Sequence, residues 1–154
     1  MRKISRYTEY QAAPYKEKLQ FNEFQQITTM AHIAGIPKIS IDDALKYHKL
    51  ITDSEYNFRS NNKEAIKAAS IYISCRSHGY PRTSKEIAIM FNIDEKVASY
   101  GCNMAQYIID KFDKDNTYCN TKSQHFIERY CSKLDMNKEF TDLCLFISIK
   151  VDKD

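Results

Sequence analysis

Little in this chain serves a β-sheet. Three glycines and three prolines in 154 residues leave few positions for the tight turns that join strands. No segment carries a convincing strand pattern. The five cysteines, at 75, 102, 119, 131 and 144, are odd in number and contain no C-x-x-C pair. That argues against a disulfide framework and against structural zinc, and points to a reducing compartment. His32, His48, His78 and His125 do not converge with them at any metal-ligand spacing. The longest apolar run, Leu143 to Ile147, is too short to span a membrane, so no membrane partner is expected. No apolar stretch follows Met1-Arg2-Lys3, so no secretory signal is expected either. The chain has no glycine-rich phosphate loop, no nucleophile elbow and no repeated carboxylate and histidine cluster. An enzyme is therefore not expected.

What is present reads as helix. The chain is 43% hydrophobic and 28% charged, an ordinary balance for a globular domain. Net charge is +3, compatible with nucleic acid but short of a strong electrostatic footprint. Residues 1–16 are polar and Tyr-rich and read as an arm or linker. Phe21, Phe24, Ile27, Ala31 and Ala34 fall at helical spacing in a helix over about 18–34. A second helix is expected over 40–52, with Ser40 as N-cap and Ile41, Ala44, Leu45, His48 and Leu50 or Ile51 turned inward. A third, over about 62–77, is apolar on nearly every side, which marks a helix buried among others. Thr83 and Glu86 form a T-x-x-E capping box that starts a fourth, 83–91. Asp94 can cap a fifth, 95–112, whose inner face reads as Val97, Tyr100, Gly101, Met104, Tyr107, Ile108 and Phe112. Cys75, Cys102 and Cys144 fit as small core residues. After a polar connector, 114–121, two more helices are expected over 122–134 and 137–150.

The last two helices repeat the first two. A shift of 100 residues aligns Ile27 with Ile127, Ile36 with Met136, Lys38 with Lys138, Asp42 with Asp142 and Leu45 with Leu145. On that reading the apolar segment Leu143–Ile147 is left exposed, or covered by another chain.

The run Ala68-Ala69-Ser70-Ile71-Tyr72-Ile73-Ser74-Cys75-Arg76, followed by Pro81-Arg82-Thr83-Ser84-Lys85-Glu86-Ile87, resembles the cyclin-type repeat of the transcription initiation factor IIB family. Gln124 to Leu134 resembles the opening of that family's second repeat. The resemblance implies an all-α fold: a five-helix cyclin-like repeat at 17–113, a connector, and two helices of a second, incomplete repeat at 122–154. The family's zinc ribbon would need paired cysteines before Cys75, and there are none, so no cofactor is expected in this chain. The resemblance also suggests a piece of a longer protein or a reduced relative.

It further implies a general initiation factor without catalytic activity, working in the nucleus or in the transcription compartment of a large DNA virus. Such a factor grips the complex of the TATA-binding protein with promoter DNA and helps to recruit RNA polymerase. The loop Phe58-Arg59-Ser60-Asn61-Asn62 would approach the minor groove, with Arg59, Asn61, Asn62 and Lys63 as its nucleic-acid-binding residues. Phe58 replaces a glycine usual in the family. Asn61 and Asn62 also suit turn and N-cap positions. Arg76, at the basic end of the third helix, would meet an acidic loop of the TATA-binding protein, with Arg82, Lys85 and Lys96 as further partner contacts. Autonomous sequence-specific DNA binding is not expected. The fourth and fifth helices have helix-turn-helix proportions, but the outer face of the fifth offers Glu95, Lys96, Ser99, Asn103 and Gln106, too few cations for the task. The rival reading is a cyclin-like regulator that binds a protein kinase, since cyclins share the five-helix repeat.

Overall fold

A computed structural model of the chain describes residues 14–112 and 121–151. Residues 1–13 of the expected arm, most of the connector and Cys119 lie outside them. Among the described residues the secondary structure is seven α-helices: α1 (Tyr15–Ile33), α2 (Lys38–Thr52), α3 (Asn61–Ser77), α4 (Ser84–Phe91), α5 (Glu95–Phe112), α6 (Gln124–Lys133) and α7 (Lys138–Val151). The fold is all-α.

Helix α3 is the axle. Ten of its residues, Ala65 to Ile71 and Ile73 to Cys75, are buried. Its two sides feed two core clusters. Ala68, Ile71 and Cys75 pack with Ile27, Ala31, Ile41 and Ala44 of α1 and α2 and with Ile87 and Phe91 of α4. Ile66, Ala69 and Ile73 pack with Cys102, Ala105, Ile108 and Ile109 of α5 and with Ile51. Even Lys67 is buried, because its ammonium donates to Glu64 (2.6 Å) and to Gln26 of α1 (2.5 Å). A paired charge tolerates a site where a lone one would not.

Helix α5 presents a different face from the one expected. Ala98, Gly101, Cys102, Ala105, Ile108 and Ile109 are buried, while Tyr100, Tyr107 and Phe112 are exposed. Backbone approach explains the rotation. A Cβ built on Gly101 would lie 2.7 Å from both Cβ and the carbonyl oxygen of Ala65. Small residues let α5 lie directly against α3, and the tyrosines are too large for that seam.

Other expectations also shift. Helix α2 starts two residues earlier than expected, after Pro37, whose carbonyl accepts from Ser40 and Ile41 N–H. Ser40 is therefore not a cap but a core residue, its hydroxyl 3.0 Å from the Tyr80 hydroxyl and its carbonyl accepting from Ser74 Oγ. On α2, Ile41, Ala44, His48 and Ile51 are buried as expected, whereas Leu45 is half-buried and Leu50 exposed. On α1 only Ile27 and Ala31 are buried; Phe24 is half-buried, and Phe21 and Ala34 are exposed. Cys75 and Cys102 are core residues, but Cys144 is half-buried and Cys131, with 5% exposure, takes the buried place in α6.

The turn between α6 and α7 repeats that between α1 and α2 at the 100-residue shift. Ile36 N–H donates to Ala31 O (2.9 Å), and Met136 N–H to Cys131 O (3.0 Å). Gly35 N–H donates to His32 O, and Asp135 N–H to Ser132 O. Gly35 and Asp135 both take the left-handed conformation, at φ 68° and 54°. Glycine adopts it at no cost, and Asp is among the residues that tolerate it best.

Candidate partner and nucleic-acid interface

The two ends of α3 carry the two groups of candidate residues. Lys63 and Arg76 are separated by about 20 Å along the axis at 1.5 Å per residue.

At the N-terminal end, Arg59, Ser60, Asn61, Asn62 and Lys63 are all exposed. Asn61 and Asn62 are not the cap but the first two helical residues. Ser60 precedes them at φ 47° without a side-chain capping bond, and the turn closes through Asn62 N–H to Arg59 O and Lys63 N–H to Ser60 O. Phe58 anchors the loop by packing with Tyr47, Tyr56 and Tyr72 against the α3–α5 core. It thus turns inward from the loop that carries Arg59. Glu64, next to Lys63 in sequence, is engaged by Lys67 and by Gln26. Among the described residues no ion pair involves Arg59 or Lys63, so both cations face solvent.

At the C-terminal end, Arg76 is half-buried and donates to Gln106 Oε1 of α5 (3.1 Å), and the Gln106 amide Nε2 donates in turn to Asp110 Oδ1 (2.7 Å). Arg76 and Arg82 line one cleft of about 480 Å³ together with Tyr72, Thr83, Ser84, Ser99, Asn103 and Phe126. Cys102 also lines it, and burial pushes its thiol up to about 12. It stays protonated, so the arginines set the charge of the cleft. Lys85 and Lys96 are exposed and lie outside this lining.

Glu86 is the residue whose full role the sequence reading missed. It closes the expected capping box: Glu86 N–H donates to Thr83 Oγ1 (3.1 Å), and Thr83 N–H donates to Glu86 Oε2 (2.9 Å). The same carboxylate accepts from Arg129 Nη2 at both oxygens, at 3.0 and 2.8 Å. Arg129 Nη1 also donates to Pro81 O (3.1 Å). Arg82 and Lys133 each approach Glu86 at 3.9 Å. Burial alone would raise the Glu86 pKa. The Thr83 N–H and the guanidiniums of Arg129 and Arg82 outweigh it and hold the carboxyl below its ordinary value. Three cations around one carboxylate leave this junction positive. The motif announced the cap, but the partner 43 residues away gave no local signal.

Among the described residues, no group of three or more His, Cys, Asp or Glu side chains could hold a metal ion, and no helix is long and apolar enough to cross a membrane.

The transcription factor TFIIB repeat matches residues 16–101. The transcription initiation factor IIB-like protein of Acanthamoeba polyphaga mimivirus is 30% identical over 95% of this chain and 35% of its own length. Transcription initiation factor IIB of Homo sapiens is 27% identical over 88% of this chain and 41% of its own; that of Saccharomyces cerevisiae is 32% identical over 77% and 36%. The chain thus spans between a third and a half of the length of these relatives. With more than half of its residues inside a matching repeat and an all-α fold, the chain belongs to the transcription initiation factor IIB family.

Proposed function

We propose that this chain acts in transcription initiation as a non-enzymatic adaptor, joining the TATA-binding protein, promoter DNA and RNA polymerase. Its setting is the nucleus or a viral transcription compartment. Residues 17–113 serve as one cyclin-like repeat and 122–154 as the start of a second. The observation that carries the reading is Arg76, held at the end of the most buried helix and lining a positive cleft with Arg82. A cation on a rigid support loses little entropy on pairing, which suits an acidic loop of the TATA-binding protein. Arg59 and Lys63, solvent-facing at the other end of α3, would meet phosphates. With so few cations, binding to free duplex is weak and nonspecific, and tight binding waits for DNA bent by the partner. The kinase-regulator reading has no such use for Arg76 and Arg59 together.

The test is the affinity of the Arg76→Glu variant for TATA-binding protein on promoter DNA, with melting measured on the same sample. We expect a loss of ~1–3 kcal/mol in the ternary complex and a fold penalty of ~1–3 kcal/mol from the helix end and the lost bond to Gln106. Unchanged affinity, or a loss that merely follows unfolding, would make Arg76 a structural residue and overturn the reading.

A further inference from the structure

His48 is a buried imidazole with one of its two ring nitrogens satisfied. Its side chain is 2% exposed, and Nε2–H donates to Glu23 Oε2 at 3.1 Å. Phe24 meets the ring edge-on, with centroids 5.9 Å apart, and helps to hold it in place. Burial lowers the His48 pKa and keeps the ring neutral, so with the proton on Nε2 the other nitrogen, Nδ1, is an acceptor. Nδ1 is shut off from bulk solvent, and among the described residues no group bonds it. A buried acceptor without a donor is costly, so such an atom calls for an explanation.

His48 and Glu23 belong to the wall of a cavity of about 220 Å³ between α1, α2 and the loop that leads into α3. Leu19, Phe58 and Ile66 give this wall its apolar part. Lys16, Asp53 and Lys63 also line it and are exposed, which marks its mouth. An apolar cavity of about 150 Å³ takes benzene, so one planar ring fits here with room for a substituent. Two cations, Lys16 and Lys63, balance two carboxylates, Glu23 and Asp53, and Lys16 lies 3.8 Å from Asp53. The lining therefore does not favour a strongly charged ligand. The two shielded polar groups are both acceptors: His48 Nδ1, and the Glu23 carboxylate oxygen that His48 does not occupy. An apolar wall with a few convergent polar groups is the usual make-up of a small-molecule site.

We propose that this cavity is a binding site for a small planar aromatic ligand that donates hydrogen bonds, an aminopyrimidine-like heterocycle whose N–H groups meet His48 Nδ1 and Glu23. The ligand's ring replaces water against Leu19, Phe58 and Ile66, and its donors satisfy the two acceptors. Filling the cavity holds Phe58 and so steadies the start of the loop that carries Arg59. The site makes no use of Arg76 or its cleft at the other end of α3, so it stands or falls apart from the partner contacts proposed above.

The experiment titrates the full chain with 2-aminopyrimidine, pyrimidine or benzoate at millimolar concentration, recording thermal melting and backbone amide chemical shifts. We expect 2-aminopyrimidine to raise the melting temperature and to move the amides of residues 19–23, 48–58 and 63–66. Pyrimidine, the same ring without a donor, should bind about tenfold more weakly, the cost of about one hydrogen bond to a charged acceptor. Benzoate, which brings only acceptors, should bind no better than pyrimidine. Glu23→Gln should cost 2-aminopyrimidine a similar factor, because its amide oxygen would serve His48 and leave a donor facing the ligand's donors. Leu19→Trp should fill the cavity and abolish binding without lowering the melting temperature. The shift map of the unaltered chain decides the location even if that variant does not fold. No binding of 2-aminopyrimidine, equal binding of pyrimidine or benzoate, or shifts centred elsewhere would overturn the proposal.

Discussion

The hairpins α1–α2 and α6–α7 share a backbone and differ in what covers them. In the first, Ile41, Ala44, His48 and Ile51 of α2 are buried against α3 and α1. In the second, the corresponding helix α7 has no buried residue, and Phe140, Leu143, Phe146, Ile147 and Val151 are exposed. Identical turns thus give a core layer in one place and an open apolar face in the other. Local sequence specifies the hairpin; a central helix such as α3 turns it into a core.

Paired truncations should expose the difference most. Ile51 has no exposure and Val151, its counterpart, has 69%. Ile51→Ala should cost ~2–5 kcal/mol through lost transfer energy and a cavity. Val151→Ala should stay within ~0.5 kcal/mol. Denaturant unfolding of both variants measures it, and equal costs would break the contrast.

The second hairpin is fastened by polar contacts, so a polar change should release it. Arg129→Met removes the charged hydrogen bonds to Glu86 and to Pro81 O, at ~1.5–3 kcal/mol. Amide exchange should then speed up in residues 124–151, while the amides of α3 keep their protection. Loss of protection in both regions alike would mean that the hairpins are not separately held.

The smallest effect is a difference in acid response. His48 is buried, with Nε2–H donating to Glu23 (3.1 Å), and burial holds its pKa below the ordinary 6.5 despite that carboxylate. The unfolded chain takes up this proton first, so stability should fall as pH drops below about 6.5. Glu86 is also depressed, below its ordinary 4.5. Its contribution is complete above that value and is lost as pH falls through the folded pKa. A melting curve against pH should show the His48 loss first and the Glu86 loss at lower pH. His48→Gln should remove the first step and Glu86→Gln the second. A single step that neither variant moves would contradict both assignments.

Much of the fold is legible in the sequence. The all-round apolar pattern of Ala68–Cys75 had one solution, burial among other helices. The Thr83–Glu86 box is local chemistry, and the structure forms it. The 100-residue repeat, resting on few identities, corresponds to matched hydrogen bonds. The face of α5 was misread because hydrophobicity favoured Tyr100, Tyr107 and Phe112, whereas close approach to Ala65 favoured Gly101 and its small neighbours.

Composition and spacing by themselves determined helix content, helix order and the identity of the central helix, because periodicity and capping act within a few residues along the chain. Tertiary structure alone decided three things: the rotation of α5, the conversion of Ser40 from cap to core, and the gathering of Arg82, Arg129 and Lys133 around Glu86. These depend on which backbone comes close to which, and on charges tens of residues apart sharing one carboxylate. No local pattern encodes that meeting.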